Sequence, residues 1–372
     1  MKSVTTNING YIEGYYGRIF TWPERHSIIK KLNKCNFNTY FYCPKDDLKH
    51  RINWREDYSK QWLSALNNFC NSAKEINVDV LIGISPGLDY SFLRKNDFDN
   101  LIKKALQLKL MGAFKIVLMF DDIPPYRYSI NKRCKSEGSL HAELANSLSM
   151  ALNENIFVVP RIYSDELIEY KCTYLEDFNQ NLNENITIFY CGKKIISNTN
   201  NKSELNTIRK TTSNHIVFWD NLYANDYCPK RLFIGPYIGR KVFNNTMINP
   251  TGLIKTDLLI LDIIKLSVSN KDWKSALKMN GVPKEFYIIY KYFFPINFLQ
   301  KNKCIDFDYY EEVKALDFLL WKWKTKLSRE WYPYLLILKQ SLQLLNNDLN
   351  SKRIKKIFPI PLSKTISYQK GD

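Results

Sequence analysis

Eight short apolar runs separated by helical patterns predict an α/β chain, a (β/α)8 barrel of TIM type followed by a C-terminal helical part. Three observations carry that prediction. The runs recur at roughly 30–40 residues, the length of one strand–helix–return unit. They are continuously apolar rather than alternating, as strands buried on both faces are. The residues just past them are polar, and in such a barrel that end carries function.

The runs lie near Gly10–Glu13, Thr39–Tyr42, Val78–Ile84, Phe114–Phe120, Ile156–Val159, Ile186–Tyr190, Ile216–Trp219 and Thr246–Ile248. Between them, Thr21-Trp22-Pro23-Glu24 reads as a capping box with proline in the first turn, opening a helix to about Lys34. Trp62–Ile76, Asp97–Met111, Leu140–Leu152 and Lys202–Thr212 carry apolar residues at helical spacing. Past the last run, Asp257–Ser267, Lys271–Met279, Asp308–Leu327 and Tyr334–Leu349 place Trp, Phe and Leu at i, i+3, i+4, the pattern of a packed core. The expected organisation is a barrel over 1–255, a helical region over 256–350, and a basic tail over 351–372 that is expected to fray.

Composition narrows the function classes. Hydrophobic residues are 45% of the 372-residue chain, enough for a large core, yet no apolar run reaches the ~18 residues of a membrane span. The N-terminus shows no apolar signal segment, so a cytoplasmic protein without membrane partners is expected. The eight cysteines are scattered, with no CxxC pair and no Cys/His cluster at zinc spacing, which suits reduced, packed thiols. A net charge of +17 invites a nucleic-acid partner, but much of it is Lys dispersed along the chain with no reading motif, so no specific nucleic acid is expected. The compact basic cluster Ser351–Lys356 reads as a solvated helix end.

The strand ends hold the chemistry. Glu13, Gly14 and Tyr16 follow the first run, Lys45-Asp46-Asp47 the second, and Ser85–Asp89 the third. Asp121-Asp122 follow the fourth, directly before Pro124-Pro125, which cannot continue a ladder. Two adjacent acids that approach each other titrate as a unit with one pKa pushed up, which suits a proton donor beside a charged partner. The alternative is a strand end where Asp caps a turn. Tyr163, Tyr190, Asn221, Asp226 and Asn249 complete a lining of acids, amides and aromatics, able to hydrogen-bond sugar hydroxyls and pack on a ring. No phosphate loop or metal motif accompanies it, so neither a cofactor nor a metal is called for.

The segments GYIEGYYGR, YCPKDDLKHRINWRE, ISPGLD, MFDDI, FWDNLYANDYCPKRLFIGPYIGR and INP, in this order over roughly residues 8–255, resemble glycoside hydrolase family 84, the β-N-acetylglucosaminidases. The resemblance implies a (β/α)8 barrel followed by helices, and a retaining exo-β-N-acetylglucosaminidase whose substrate assists. In that scheme the acetamido oxygen attacks the anomeric carbon to give an oxazoline, an exception to the two-carboxylate pattern. It further implies that Asp121 orients and polarises the acetamido group as an anion, and that Asp122 is the general acid/base, held protonated for the leaving oxygen. Tyr163 would hydrogen-bond the reacting acetamido group, and Gly14, Lys45, Asn221, Asp226 and Asn249 would contact the sugar. A GlcNAc-bearing glycoprotein or glycan is then the expected partner.

The chain departs from the family pattern twice. Arg161-Ile162 stand where Thr-Glu is usual before the tyrosine, and Tyr190 stands where a tryptophan ends the sixth strand. The matched acids and amides all remain, which favours an active enzyme over a degenerate GlcNAc-binding module.

Overall fold

The computed structural model describes residues 7–125, 136–197, 199–240, 245–294 and 308–346. Its eight strands close in sequence order into an all-parallel barrel: β1 (Asn9–Glu13), β2 (Thr39–Tyr42), β3 (Asp79–Ile84), β4 (Lys115–Met119), β5 (Phe157–Val159), β6 (Thr187–Tyr190), β7 (Ile216–Asp220) and β8 (Thr246–Ile248). β1 pairs with both β2 and β8, so the sheet has no edge. The register packs β1 tightly: a Cβ on Gly10 would lie 1.7 Å from the Thr39 carbonyl oxygen, so only glycine fits there. Inward-facing Ile12, Phe41, Val117, Phe189 and Trp219 fill the barrel's interior.

Outside it run α1 (Trp22–Lys34), α2 (Lys60–Glu75), α3 (Lys95–Leu110), α4 (Glu137–Leu152), α5 (Tyr174–Asn181), α6 (Asn206–Arg209) and α7 (Ile254–Val268). The expected start of α1 is present, with Glu24 accepting the Thr21 backbone N–H at 2.8 Å and Pro23 in the first turn. The longer of these helices each bury an apolar stripe; Leu66, Phe69 and Ala73 of α2 are fully covered. Burial on that scale is worth about 1.5–3 kcal/mol for each large side chain. Two local expectations differ. α5 follows no predicted pattern, and the helix expected over 202–212 is a 3-10 turn (Lys202–Leu205) followed by the single-turn α6.

The chain divides into two compact units, Met1–Tyr227 with Pro236–Ala276, and Cys228–Gly235 with Leu277–Asp372. The first runs past residue 255 and takes in α7. Among the described residues four further helices follow, α8 (Lys274–Met279), α9 (Phe286–Ile289), α10 (Tyr309–Trp321) and α11 (Lys326–Leu345). In the second unit the Trp331 ring, buried on α11, packs on Phe286 of α9 with centroids 4.9 Å apart. The break between α10 and α11 falls earlier than the pattern suggested, and α11 runs through Pro333. Thr325 and Ser328 exchange side-chain-to-backbone hydrogen bonds of 2.8 and 3.0 Å that nucleate it there, and burial of Leu327, Trp331 and Leu335 outweighs the lost proline N–H. The tail at 351–372, Cys134 and Cys304 lie outside the described residues. No helix among the described residues is long and apolar enough to cross a membrane.

Candidate active site

A cavity of about 600 Å³ opens at the C-terminal ends of the strands, and all eight residues singled out in the sequence line it: Gly14, Lys45, Asp121, Asp122, Tyr163, Asn221, Asp226 and Asn249. They reach it from the ends of six strands, β1, β2, β4, β5, β7 and β8, and the segment after β6 adds a wall.

The acid pair sits just past β4. A strand alternates its side chains between faces, but Asp122 takes the left-handed conformation, φ 54°, which turns its carboxylate into the same cavity as that of Asp121. Aspartate tolerates this region better than most residues. The Lys45 ammonium is ion-paired with Asp121 Oδ2 and lies 3.4 Å from Asp122 Oδ2. Tyr163 donates its hydroxyl to Asp122 Oδ1 at 2.8 Å, and Tyr16 donates to Oδ2 at 3.1 Å. Asp121 Oδ1 is buried and, among the described residues, has no hydrogen-bond partner.

These contacts set the electrostatics. Burial raises Asp121 above the ordinary carboxylate range; Lys45 opposes the rise and the neighbouring Asp122 adds to it. Burial would raise Asp122 too, but Lys45 and the two tyrosine hydroxyls hold it below its ordinary value. Burial alone would lower the Lys45 ammonium, and the two carboxylates more than reverse that. Burial, and then Asp122, push the Tyr163 phenol far up, so it stays a donor. Lys45 faces both carboxylates and draws each toward its charged form.

The opposite wall is made of amides. Asn221 Oδ1 accepts from Trp219 Nε1 at 2.8 Å and from Asn249 Nδ2 at 2.9 Å, while its own Nδ2 donates to the Ile195 carbonyl at 2.9 Å. Asn249 Oδ1 is buried without a hydrogen-bond partner among the described residues. Asp226 accepts the Tyr16 backbone N–H at 3.2 Å. At Gly14 a Cβ would lie 2.9 Å from both the Trp219 ring and Ile12, so the backbone approaches the aromatic wall as only glycine can.

Of the two departures, Arg161 points elsewhere: it pairs with Glu137 at 2.8 Å and its backbone N–H donates to the Tyr174 hydroxyl at 2.9 Å. Tyr163 lines the cavity regardless. Tyr190 also lines it, fully buried, its hydroxyl held by Asp165 at 2.6 Å. Other strand-end acids are structural. Glu13 is buried against Arg25 at 2.8 Å, Asp47 accepts from Tyr42 and Tyr58 at 2.5 and 2.8 Å, and Asp89 pairs with Arg55 at 2.5 Å. Sequence reasoning missed Trp219 and Arg51. Only their place inside the matched segments marked them, since neither has a spacing relation to the acids.

Comparison with known proteins agrees with this geometry. The sequence profile of the beta-N-acetylglucosaminidase family matches residues 9–250. The protein O-GlcNAcases of Rattus norvegicus and Mus musculus are each 33% identical over 288 residues, 74% of this chain. The chain spans 31% of the length of those curated relatives. A point mutant of the Thermobaculum terrenum O-GlcNAc hydrolase has the same fold, with a TM-score of 0.74 over 95% of this chain and 87% of its own at 22% identity. The chain belongs to the β-N-acetylglucosaminidases of glycoside hydrolase family 84.

Proposed function

We propose that the chain is a retaining exo-β-N-acetylglucosaminidase that removes O-GlcNAc from proteins by substrate-assisted catalysis. The observation that carries this reading is Asp121 Oδ1, a buried acceptor without a donor among the described residues, beside the Asp122 carboxylate at the cavity. A buried acceptor left unpaired is costly, and an acetamido N–H is the donor that would satisfy it.

In the first step the acetamido oxygen bonds to the anomeric carbon as the glycosidic C–O bond breaks. Asp122 gives its proton to the leaving oxygen, and Asp121, accepting from the N–H, offsets the positive charge growing on that nitrogen. In the second step water bonds to the anomeric carbon, the oxazoline C–O bond breaks, and the water proton returns to Asp122. The chemistry needs Asp122 protonated when the leaving oxygen departs. Donation by the N–H stabilises the Asp121 anion, and that anion then raises Asp122 through repulsion. Tyr163 turns from Asp122 to the acetamido oxygen in this scheme. Gly14, Lys45, Asn221, Asp226 and Asn249 contact the sugar, Asn249 through its unpaired Oδ1. The barrel unit, which takes in α7, carries the catalysis in this reading.

The test is a series of 4-nitrophenyl β-GlcNAc glycosides with zero to three fluorines on the acetyl methyl. Each fluorine weakens the acetamido oxygen as a nucleophile, so the rate should fall steeply along the series. A flat series, or a covalent glycosyl-enzyme on Asp121 or Asp122, would overturn the mechanism. Binding without turnover would make the chain a GlcNAc-recognition module instead.

A further inference from the structure

Arg51 is a buried cation beside the acid pair, and among the described residues it makes no ion pair with a carboxylate. One terminal nitrogen donates to the Asp122 backbone carbonyl at 2.7 Å, the other to the Tyr16 hydroxyl at 2.7 Å. The guanidinium carbon also lies 5.7 Å from the Tyr16 ring centroid. Tyr16 spends its hydroxyl proton on Asp122 Oδ2 at 3.1 Å, while its backbone N–H is held by Asp226 at 3.2 Å. Arg51 therefore grips residue 122 twice, once at its left-handed main chain and once through a tyrosine on its carboxylate. A planar fork can do both at fixed geometry; an ammonium cannot.

We propose that Arg51 and Tyr16 form a positioning pair that aims the Asp122 carboxylate into the cavity and sets its proton affinity. The inference rests on the reading of Asp122 as general acid/base and adds two residues to it. Among the described residues five groups face Asp122: Lys45 from beyond β2, Asp121 beside it, Tyr163 from beyond β5, and Tyr16 and Arg51. Of these only Tyr16 is itself oriented by Arg51. Because a hydroxyl donating to the charged carboxylate favours the anion, its removal should raise the proton affinity of Asp122.

The experiment measures kcat, whose pH limbs report the substrate complex, against pH, together with KM, for the full chain and for Tyr16→Phe, Arg51→Lys and the double variant, on 4-nitrophenyl β-GlcNAc and on an alkyl β-GlcNAc. Tyr16 is half exposed at the cavity mouth, so Tyr16→Phe should keep the parent Tm and remain interpretable if Arg51→Lys folds poorly. In Tyr16→Phe the basic limb, where Asp122 loses its proton, should move up by roughly half to one pH unit, the scale of one hydrogen bond to a charged group at a partly exposed site. Arg51→Lys should lose about 10- to 100-fold in kcat, more on the alkyl than the aryl glycoside, with KM nearly unchanged. The two losses should not add in the double variant. An unmoved basic limb in Tyr16→Phe, or strictly additive losses equal on both leaving groups, would overturn the pairing. Asp122→Asn, assayed alongside, separates the premises: if it too loses equally on both leaving groups, the reading of Asp122 itself fails, whereas a leaving-group-dependent loss there with an unmoved Tyr16→Phe sinks only the pair.

Discussion

The Tyr163 hydroxyl donates to Asp122 Oδ1 at 2.8 Å across the cavity, tying the loop after β5 to the end of β4. A hydrogen bond to a charged group is worth about 1.5–3 kcal/mol, so Tyr163→Phe should cost about 10- to 100-fold in kcat. Steady-state kinetics on an aryl β-GlcNAc, with circular dichroism to confirm folding, checks this. Unchanged turnover would remove Tyr163 from the chemistry.

Asp122→Asn should abolish most turnover of alkyl and protein-linked GlcNAc, because Asp122 is the proposed proton donor to the leaving oxygen. A 4-nitrophenyl leaving group needs little protonation, and the loss there should be far smaller. Comparing kcat/KM on the two classes reads the difference directly.

Lys45→Met should leave two adjacent carboxylates in a buried site without the ammonium between them. Asp121, already raised by burial, then rises further. A carboxyl whose folded pKa exceeds its unfolded one is most stable protonated, and that stability is lost as pH climbs through the folded value. The Tm deficit of the variant should therefore be small near pH 4 to 5 and grow toward pH 8, approaching the about 3–5 kcal/mol typical of a buried charge stripped of its partner. Thermal melts at three pH values test it; a deficit independent of pH would mean packing alone.

Gly14→Ala should act through Trp219. The new methyl overlaps that ring, and relieving the overlap costs about 1–3 kcal/mol. Trp219 Nε1 anchors Asn221, so displacing the ring also displaces an amide proposed to hold the sugar. KM should rise more than kcat falls, and a crystal structure of the variant should show the indole moved.

The barrel was legible because each strand is a compact apolar run with its functional residues immediately past it. All eight runs fall within a residue or two of the observed strands. The single-turn α6 and the short α5 were not foreseen as such, since a stretch this brief leaves too few turns for periodicity to register. Pro333 misled in the other direction: it marks a helix start locally, while capping by Thr325 and burial of Trp331 decide otherwise. At the site, residue identity alone could not separate Glu13, which neutralises Arg25 in the core, from acids that face the cavity. Nor could it bring Arg51 to Asp122, 71 positions away, because only the folded barrel sets neighbouring loops side by side.

The left-handed turn at residue 122 also limits how this position can change over evolutionary time. Glutamate carries the same charge, but it lacks the short side chain that makes the conformation tolerable, and its extra methylene would carry the carboxylate past both tyrosines. A drift from Asp to Glu, usually among the mildest of exchanges, is closed at this site. Asparagine keeps both the turn and the outline, so a lineage that gives up the acid without unfolding should do so by Asp122→Asn, trading catalysis for a barrel that still holds its shape.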